Sequence, residues 1–208
     1  MLFVFIIIIY LHNLNLYIMK NLFALFLLFT TIVVFGQENE KTQNSKWTIG
    51  FGMNFIDNTS TYNDQYLNSS KQWNSMSAIS KISIEKSLSD LFAAEVAFTV
   101  NKLTHDKLQN GTTIISDINY IGLDLGGKFY FDKFIVKDSK LNSYLILGVG
   151  VNSANSVYNE TANYGLGLNY WLQPNLGIRI QTIGKYAFDQ KPVCNNHIQH
   201  SVELVFKF

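Results

Sequence analysis

Apolar and polar side chains alternate along most of the chain after residue 46, and this period of two is typical of β-strands. Between Trp47 and Phe55 every odd position holds a large apolar residue, and every even position holds a small or polar one. Successive side chains of a strand point to opposite faces, so this segment has one apolar face and one polar face. A helix would not separate the same residues in this way. The pattern therefore predicts a β protein.

Similar alternation recurs in seven further segments of the chain. It is clear in four of them and weaker in three: 92–101, 145–152, 163–172 and 197–208, then the regions near 77–86, 114–130 and 175–187. Each segment has about the ten residues with which a tilted strand crosses a bilayer. We therefore predict an all-β fold, an eight-stranded antiparallel up-and-down transmembrane β-barrel.

The connections between these segments alternate between long and short, as they do in outer-membrane barrels. Polar loops are predicted at 57–76, 102–113, 153–162 and 187–196, and tight turns at 87–90 and 173–175. The connection near 131–142 is longer than this alternation predicts. We expect the two strands beside it to extend past the membrane and to turn at Lys137–Lys140.

The orientation of the two faces separates a membrane barrel from a soluble protein. A soluble sandwich or a lipocalin-like barrel would also alternate, with its apolar residues inside. The membrane arrangement is favoured because the polar face carries charges within strands and because the chain ends on an aromatic strand. It is also favoured by aromatic residues near strand ends, as in the girdles of membrane barrels. These residues are Trp47, Phe129, Phe131, Tyr144, Tyr164, Tyr186, Phe206 and Phe208.

Residues 1–36 are predicted to be a signal peptide that is removed on export. Lys20 supplies the positive charge, Leu22–Phe35 is the apolar region, and Gly36 is a small residue at the predicted cleavage site. The alternative is a transmembrane helix, because the two apolar stretches of this segment are together long enough to cross a bilayer.

A second start within that segment is also predicted. Met19 is followed by Lys20, as at the beginning of a signal peptide, so residues 1–18 could stem from a misplaced start codon. After the signal peptide, residues 37–45 form a polar, flexible lead-in, and the barrel is predicted to occupy 46–208.

Several classes of protein and of site are excluded by composition. Cys194 is the single cysteine, so neither an internal disulfide nor a zinc site of several thiolates is expected. A net charge of +1 argues against binding of nucleic acid, which usually needs a basic face. No cofactor is predicted.

The sequence also argues against an enzyme. His197, His200, Ser201 and Glu203 lie close together in the last strand and suggest a hydrolase that acts on outer-membrane lipid. However, His200 and Ser201 point to opposite faces of a strand, so the base cannot reach the nucleophile. We therefore expect no catalytic residues.

The end of the chain resembles a known family. The predicted signal peptide, the eight alternating strands and the ending Val202-Glu-Leu-Val-Phe-Lys-Phe208 are similar to small OmpA/OmpX-type outer-membrane barrels. The leader end Phe35-Gly36-Gln37 and the richness in Asn, Lys, Ile and Tyr resemble Bacteroidetes-like outer-membrane barrel domains.

The resemblance implies a location in the outer membrane of a Gram-negative cell, in contact with membrane lipid and lipopolysaccharide. It also implies that the barrel-assembly machinery reads the last strand through Val202, Leu204, Phe206 and Phe208. The resemblance does not imply cell-wall anchoring, because this chain has no peptidoglycan-binding domain after the barrel.

The polar face suggests what the lumen does. An eight-stranded barrel is just filled by its own side chains, and buried charges require partners. We predict a network that plugs the lumen, formed by Lys81, Glu85, Glu95, Asp124, Lys128, Arg179, Glu203 and Lys207. A narrow pore lined by the same charges is the alternative.

The function predicted from these features is a structural or surface-interaction (adhesion-like) role with an unknown surface ligand. A small solute or ion channel of the porin type is the second hypothesis, and a lipid hydrolase is the third. Tyr62, Tyr66 and Trp73 in the longest predicted loop either form an adhesive surface or pack over the barrel mouth.

Overall fold

A computed structural model describes residues 47–58, 73–76, 78–105, 107–109, 112–134, 140–189, 191 and 195–208. The predicted signal peptide and lead-in, Tyr62, Tyr66, Cys194 and residues 137–139 of the predicted turn lie outside these ranges. Within them, no helix is long and apolar enough to cross a membrane.

The first and last strands pair with each other, and this pairing closes the sheet into a barrel. Their register runs from Thr48 opposite Lys207 to Asp57 opposite Ile198. The strands are β1 (Trp47–Asp57), β2 (Trp73–Ser75), β3 (Lys81–Ser87), β4 (Phe92–Leu103), β5 (Leu108–Gln109), β6 (Thr112–Thr113), β7 (Ile118–Tyr130), β8 (Leu141–Ala154), β9 (Val157–Gln173), β10 (Leu176–Ala187) and β11 (His197–Lys207). The wall consists of the eight longer strands, which are antiparallel and adjacent in chain order. This architecture confirms the predicted eight-stranded barrel.

The barrel is apolar on its outer surface and polar on its inner surface. On β9, Leu166, Leu168 and Tyr170 are exposed on the outer face, whereas Asn163 and Asn169 are buried on the inner face. The other long strands repeat this alternation. This is the inside-out polarity of a transmembrane barrel, and it contradicts the alternative of a soluble protein with an apolar core.

The wall between β1 and β3 is interrupted near residues 76–80, and side chains bridge the interruption. β1 pairs with β3 in its first half and with β2 in its last three residues. In the gap, the Asn54 backbone N–H donates to Ser80 Oγ at 2.9 Å. Asn54 Nδ2 donates to the carbonyl oxygens of Ser80 and Val100 at 2.8 and 3.0 Å. These bonds satisfy backbone groups that continuous strand pairing would otherwise have satisfied.

Two predicted loops are shorter than the sequence pattern indicated. Trp73–Ser75, which belonged to the predicted loop 57–76, forms β2 and pairs with the end of β1. The predicted loop 153–162 is wrong, because β8 and β9 are paired up to Ala154 opposite Val157. Its polar composition was misleading, since Asn159 and Thr161 beyond the turn are buried side chains of β9 that face the barrel interior.

The turn between β8 and β9 contains only Asn155 and Ser156. Their φ angles are 49° and 64°, as in the two-residue hairpin turns whose twist matches that of the flanking strands. Asparagine tolerates positive φ, whereas serine is less suited to it.

Replacing Ser156 with glycine is therefore expected to raise the free energy of unfolding by about 1 kcal/mol, because glycine has no Cβ that opposes positive φ. Urea titration of the folded protein in lipid vesicles measures the change. Ser153→Gly, which introduces glycine within β8, is the matched control and is expected to lower stability. A lower unfolding midpoint for Ser156→Gly would contradict the turn geometry.

The connection after β7 also differs from the prediction. The first flanking strand does not extend to the predicted turn, because β7 ends at Tyr130 and a short 3-10 helix follows at Phe131–Phe134, whereas β8 begins at Leu141, directly after that turn. This helix brings Asp132 to a buried position beside β8, where its Oδ2 accepts a 2.9 Å hydrogen bond from Asn142 Nδ2. The long connection thus supplies a polar side chain to this end of the barrel.

Candidate functional site

The centre of the lumen holds a cluster of buried ion pairs. Arg179 projects inward from β10, and its guanidinium lies 2.5 Å from Glu85 Oε2 and 2.8 Å from Glu95 Oε2. Lys128 Nζ contacts the same two oxygens at 2.7 and 2.6 Å. Two cations therefore share two carboxylates from the adjacent strands β3 and β4.

The bond between Arg179 and Glu95 joins opposite walls of the barrel. Their strands, β10 and β4, are four strands apart in either direction around the closed sheet. The Arg179 side chain has no exposed area, so it spans the lumen at this level without contact with solvent. Asn169 Oδ1 accepts from Arg179 Nε at 2.9 Å and completes the alignment of the guanidinium.

A second ion pair continues this cluster on the β1 side of the lumen. Lys81 Nζ lies 2.9 Å from Glu203 Oε1 and also donates to Gln181 Oε1 at 2.8 Å and to Ser201 Oγ at 3.1 Å. Ser83 Oγ donates to the other Glu203 oxygen at 2.5 Å. Every charged group here thus has an oppositely charged partner and further hydrogen bonds, as buried charges require.

The central cluster is electrically balanced, with three cations and three carboxylates among its described members: Lys81, Lys128, Arg179, Glu85, Glu95 and Glu203. We call these six residues the central cluster. Removal of one charged member would leave a buried charge without its partner, which is more costly than loss of a whole neutral pair.

A separate ion pair lies closer to the loops. Lys185 Nζ contacts the two oxygens of Asp124 at 2.8 and 2.7 Å and approaches Asn152 Oδ1 at 3.2 Å. Asn163 Nδ2 donates to Asp124 Oδ1 at 2.8 Å. Lys185 was not part of the predicted network, although it follows Arg179 by six residues and therefore faces the lumen on the same strand.

Lys207 was assigned to the lumen network, but its position differs from that of the other seven residues. It is the last residue of β11 and is only partly buried. Its Nζ lies 4.0 Å from the centroid of the Trp171 ring. Trp171 Nε1 in turn donates to Asn142 Oδ1 at 2.7 Å, and Asn142 donates to Asp132. Lys207 therefore lies beside the polar group at the end of the barrel that includes Asp132. The balanced charge count of the prediction therefore included Lys207 and omitted Lys185, the lysine that contacts Asp124.

Apolar side chains cover the lumen at the loop end. Ile56, Leu103, Tyr120 and Ala154 are buried against one another, and Ile114, which precedes β7, and Ile118, its first residue, pack on them. A polar network that is covered by apolar residues is shielded from bulk water, which strengthens its electrostatic interactions.

An exposed carboxylate holds this covering segment to the end of β4. Asp117 Oδ1 accepts hydrogen bonds from His105 Nδ1 at 2.8 Å and from the His105 backbone N–H at 3.1 Å. Lys102 Nζ lies 3.5 Å from the other oxygen. The hydrogen bond from the His105 side chain, followed by that from its backbone, lowers the pKa of Asp117 below its ordinary value.

The residues of the predicted assembly signal lie on the outer face of β11. Val202, Leu204 and Phe206 alternate with buried inward-facing residues, and Phe208 follows the end of the strand. Phe208 exchanges two backbone hydrogen bonds with Trp47, each 2.9 Å long, so the last residue still takes part in closure of the barrel.

Of the three predicted loop residues, only Trp73 lies within the described part of the chain. It belongs to β2 rather than to a loop, and its ring stacks on His200 at a centroid distance of 4.7 Å. His200 Nδ1 lies 3.0 Å from Thr182 Oγ1, whereas Ser201 faces the lumen. Within the described ranges, no group of three or more His, Cys, Asp or Glu residues is placed to hold a metal ion.

No protein-family model and no curated protein matches this chain. Among solved structures, it is similar to the outer membrane protein OprG from Pseudomonas aeruginosa, with 12% identity and a TM-score of 0.54 over 80% of this chain and 97% of that one. The fold is that of an outer-membrane β-barrel. Two further similar structures are a major outer membrane protein from Thermus thermophilus (11% identity, TM-score 0.52, 80% and 100% covered) and Neisserial surface protein A (13%, 0.50, 81% and 98%).

Two lumen tyrosines offer a matched test of the polar network. Tyr130 donates its hydroxyl proton to Glu85 Oε1 at 2.7 Å and accepts from Asn169 Nδ2 at 3.2 Å, whereas the hydroxyl of Tyr144 is buried without a partner among the described residues. Tyr130→Phe is therefore expected to lower the free energy of unfolding by about 1–3 kcal/mol, and Tyr144→Phe to leave it unchanged or raise it. Urea titration in lipid vesicles compares the two variants. Equal losses would show that the network is not arranged as described.

Proposed function

We propose that this protein is an outer-membrane barrel with a non-catalytic role, structural or in surface interaction of the adhesion type, and with a lumen closed by ion pairs. The observation that supports it most directly is the 2.8 Å bond between Arg179 and Glu95, which joins opposite walls. An eight-stranded barrel has an interior that side chains can fill, and here charged side chains fill it.

The dimensions of the outer apolar surface support insertion in a membrane. On β9 the outward residues from Ala162 to Leu172 are apolar, and the next outward residue, Glu160, is charged and exposed. Ten residue steps at the usual rise and tilt span about 25 Å, the height of the apolar band of outer-membrane barrels. We call this outward surface the apolar belt, and we propose that membrane lipid and lipopolysaccharide surround it.

The apolar face of the last strand supports recognition by the barrel-assembly machinery. Val202, Leu204 and Phe206 form one outward row that Phe208 extends. We propose that this row is the assembly signal. Its role is tested by Phe208→Ser, which is expected to reduce the amount of folded barrel in outer membranes more than it reduces stability of the purified protein.

A surface-interaction role is supported by the hairpin of β8 and β9. This hairpin extends beyond Glu160, so it projects from the apolar belt into the aqueous phase. Tyr158 on the hairpin and Phe188 just after β10 are 68% and 61% exposed. Exposed aromatic residues outside the membrane are typical of binding patches.

Fractionation with a heat-modifiability gel tests the membrane location. The full chain is expected in the outer-membrane fraction, migrating faster when unboiled than when boiled in detergent, because a closed barrel stays compact. A soluble periplasmic protein without a mobility shift would overturn the proposal.

Conductance of the purified barrel in planar bilayers distinguishes a plugged lumen from a narrow pore. We expect no stable openings, because Arg179 and its partners fill the cross-section. Stable ion-selective openings would contradict the plug and would favour a small channel instead.

The proposed surface role is tested on whole cells that display the chain. Replacing Tyr158 and Phe188 with serine is expected to reduce adhesion of the cells to an apolar surface such as polystyrene. Ile115→Ser is the control, because Ile115 is a fully exposed apolar residue elsewhere at the loop end. Equal adhesion of all variants would exclude the hairpin as an adhesive surface.

A further inference from the structure

A histidine and a threonine form a polar pair on the outer wall of the barrel. Thr182 of β10 and His200 of β11 are direct cross-strand partners on the outward face. The next outward residues on β11, Val202 and Leu204, are apolar and exposed. An ionisable side chain on a lipid-facing surface is costly to maintain and is typical of a functional site.

Neighbouring side chains hold the His200 ring in one orientation. Its Nδ1 lies 3.0 Å from Thr182 Oγ1, and its face stacks on Trp73 at 4.7 Å with an interplanar angle of 27°. Trp73 itself packs against Phe55 at 5.8 Å. The ring is therefore preorganised by a hydrogen bond at one edge and by an aromatic plane on one face.

The hydrogen bond between Thr182 Oγ1 and His200 Nδ1 links the tautomer of the ring to the direction of that bond. When the threonine hydroxyl donates to Nδ1, the neutral ring carries its own proton on Nε2. Within the described ranges, no residue forms a hydrogen bond with His200 Nε2. His200 is partly exposed, so in this tautomer its Nε2–H can donate to a group outside the chain.

The position of the pair identifies the neighbouring molecule. His200 is the fourth residue of β11, close to the loop end of the wall. The tight turns at 88–91 and 174–175 lie at the other end, which corresponds to the periplasmic side of outer-membrane barrels. On the proposed outer-membrane function, the molecule that contacts this part of the apolar belt is an outer-leaflet lipid.

We propose that Thr182, His200 and Trp73 form a binding site for the headgroup region of an outer-leaflet lipid, with His200 Nε2–H donating to a phosphate or ester carbonyl oxygen. Trp73 supports the ring that carries the donor, and Thr182 selects its tautomer. This inference rests on the proposed membrane function and adds a specific lipid contact to it.

Native mass spectrometry of the full chain tests the site, with the protein released from nanodiscs that contain lipid A and phosphatidylglycerol. The wild type is expected to retain lipid A. His200→Phe keeps the aromatic stack but loses the donor, and it is expected to lower lipid A occupancy about threefold to tenfold, the effect of one hydrogen bond. Thr182→Val is expected to lower lipid A occupancy less than His200→Phe does, because the variant keeps the imidazole ring of His200 with both of its nitrogens.

Controls separate this site from general effects on the barrel. Ile180→Leu changes an exposed outward residue of β10, two positions before Thr182, without changing polarity, and it is expected to retain lipid A like the wild type. Dephosphorylated lipid A identifies the acceptor: weaker retention indicates a phosphate oxygen, and equal retention indicates an ester carbonyl. Equal lipid A occupancy in the wild type and in His200→Phe would overturn the site.

The tautomer provides a second, independent measurement. Nitrogen NMR of His200 in lipid is expected to show a proton on Nε2, and a ring protonated on Nδ1 instead would overturn the proposed donor. A heat-dependent gel shift of each variant reports folding. A folded barrel without lipid selectivity refutes the binding site alone, whereas a chain that does not insert into nanodiscs refutes the membrane function.

Discussion

Replacing Arg179 with methionine is expected to lower the free energy of unfolding by about 3–5 kcal/mol, the usual cost of leaving a buried charge without its partner. The side chain of methionine fills a similar space but cannot donate to Glu85 or Glu95, whose oxygens lie 2.5 and 2.8 Å from the guanidinium. Lys128 alone cannot balance both carboxylates. Urea titration of the folded barrel in lipid vesicles measures the loss.

A double variant distinguishes loss of charge balance from loss of packing. Arg179→Met combined with Glu95→Gln restores neutrality of the central cluster, so it is expected to recover part of the lost stability. Lys102→Met is the control outside the lumen, because Lys102 is 49% exposed and lies 3.5 Å from Asp117. Such exposed pairs contribute less than about 1 kcal/mol. A small effect of Arg179→Met, similar to that of the control, would contradict the central cluster.

Replacing Gly167 with alanine is expected to destabilise the barrel by about 1–3 kcal/mol, because the added Cβ overpacks the lumen. That Cβ would lie within 2.3 Å of Cζ and the hydroxyl oxygen of Tyr144. The Tyr144 ring cannot move freely, since it packs on Tyr130 at 5.2 Å and lies under Lys128 Nζ at 4.3 Å. The unfolding midpoint in urea measures the effect.

Gly184→Ala is the matched control for this variant. Gly184 faces outward, and its added Cβ would approach the Tyr164 ring at 3.0 Å, but that ring is largely exposed and can move away. We therefore expect little change in stability. In addition, Tyr144→Leu should relieve the clash when it is combined with Gly167→Ala. Similar losses for both glycine variants would indicate a general propensity effect rather than overpacking of the lumen.

The strands were predictable from the sequence, because side-chain alternation with a period of two depends only on the local backbone geometry. The outward row from Ala162 to Leu172 and the inward row that contains Arg179 follow from position along a strand and need no partner. The turn at Asn155–Ser156 was not predictable in this way. Its neighbours Asn159 and Thr161 are as polar as loop residues, and only burial inside the barrel distinguishes them from a loop.

The lumen was predictable in composition but not in pairing. The alternation of side chains along each strand places Arg179, Glu85 and Glu95 on the inner face, but it does not show how strands on opposite sides of the barrel align. The two lysines Lys207 and Lys185 illustrate this limit. Both occupy inward positions of their strands, but Lys185 contacts Asp124 whereas Lys207 contacts the Trp171 ring. Their different partners depend on height in the barrel, which is set by the stagger of the strands.

Local alternation is thus sufficient to establish strands, two faces and an apolar exterior, because each of these depends on a residue and its near neighbours in the chain. Closure of the sheet brings the Arg179 guanidinium of β10 within 2.8 Å of Glu95 on β4, and the register of the β10–β11 pair places Thr182 beside His200 on the outer wall. These contacts join residues 84 and 18 positions apart. They depend on strand register and stagger, which are properties of the closed sheet and not of any segment within it.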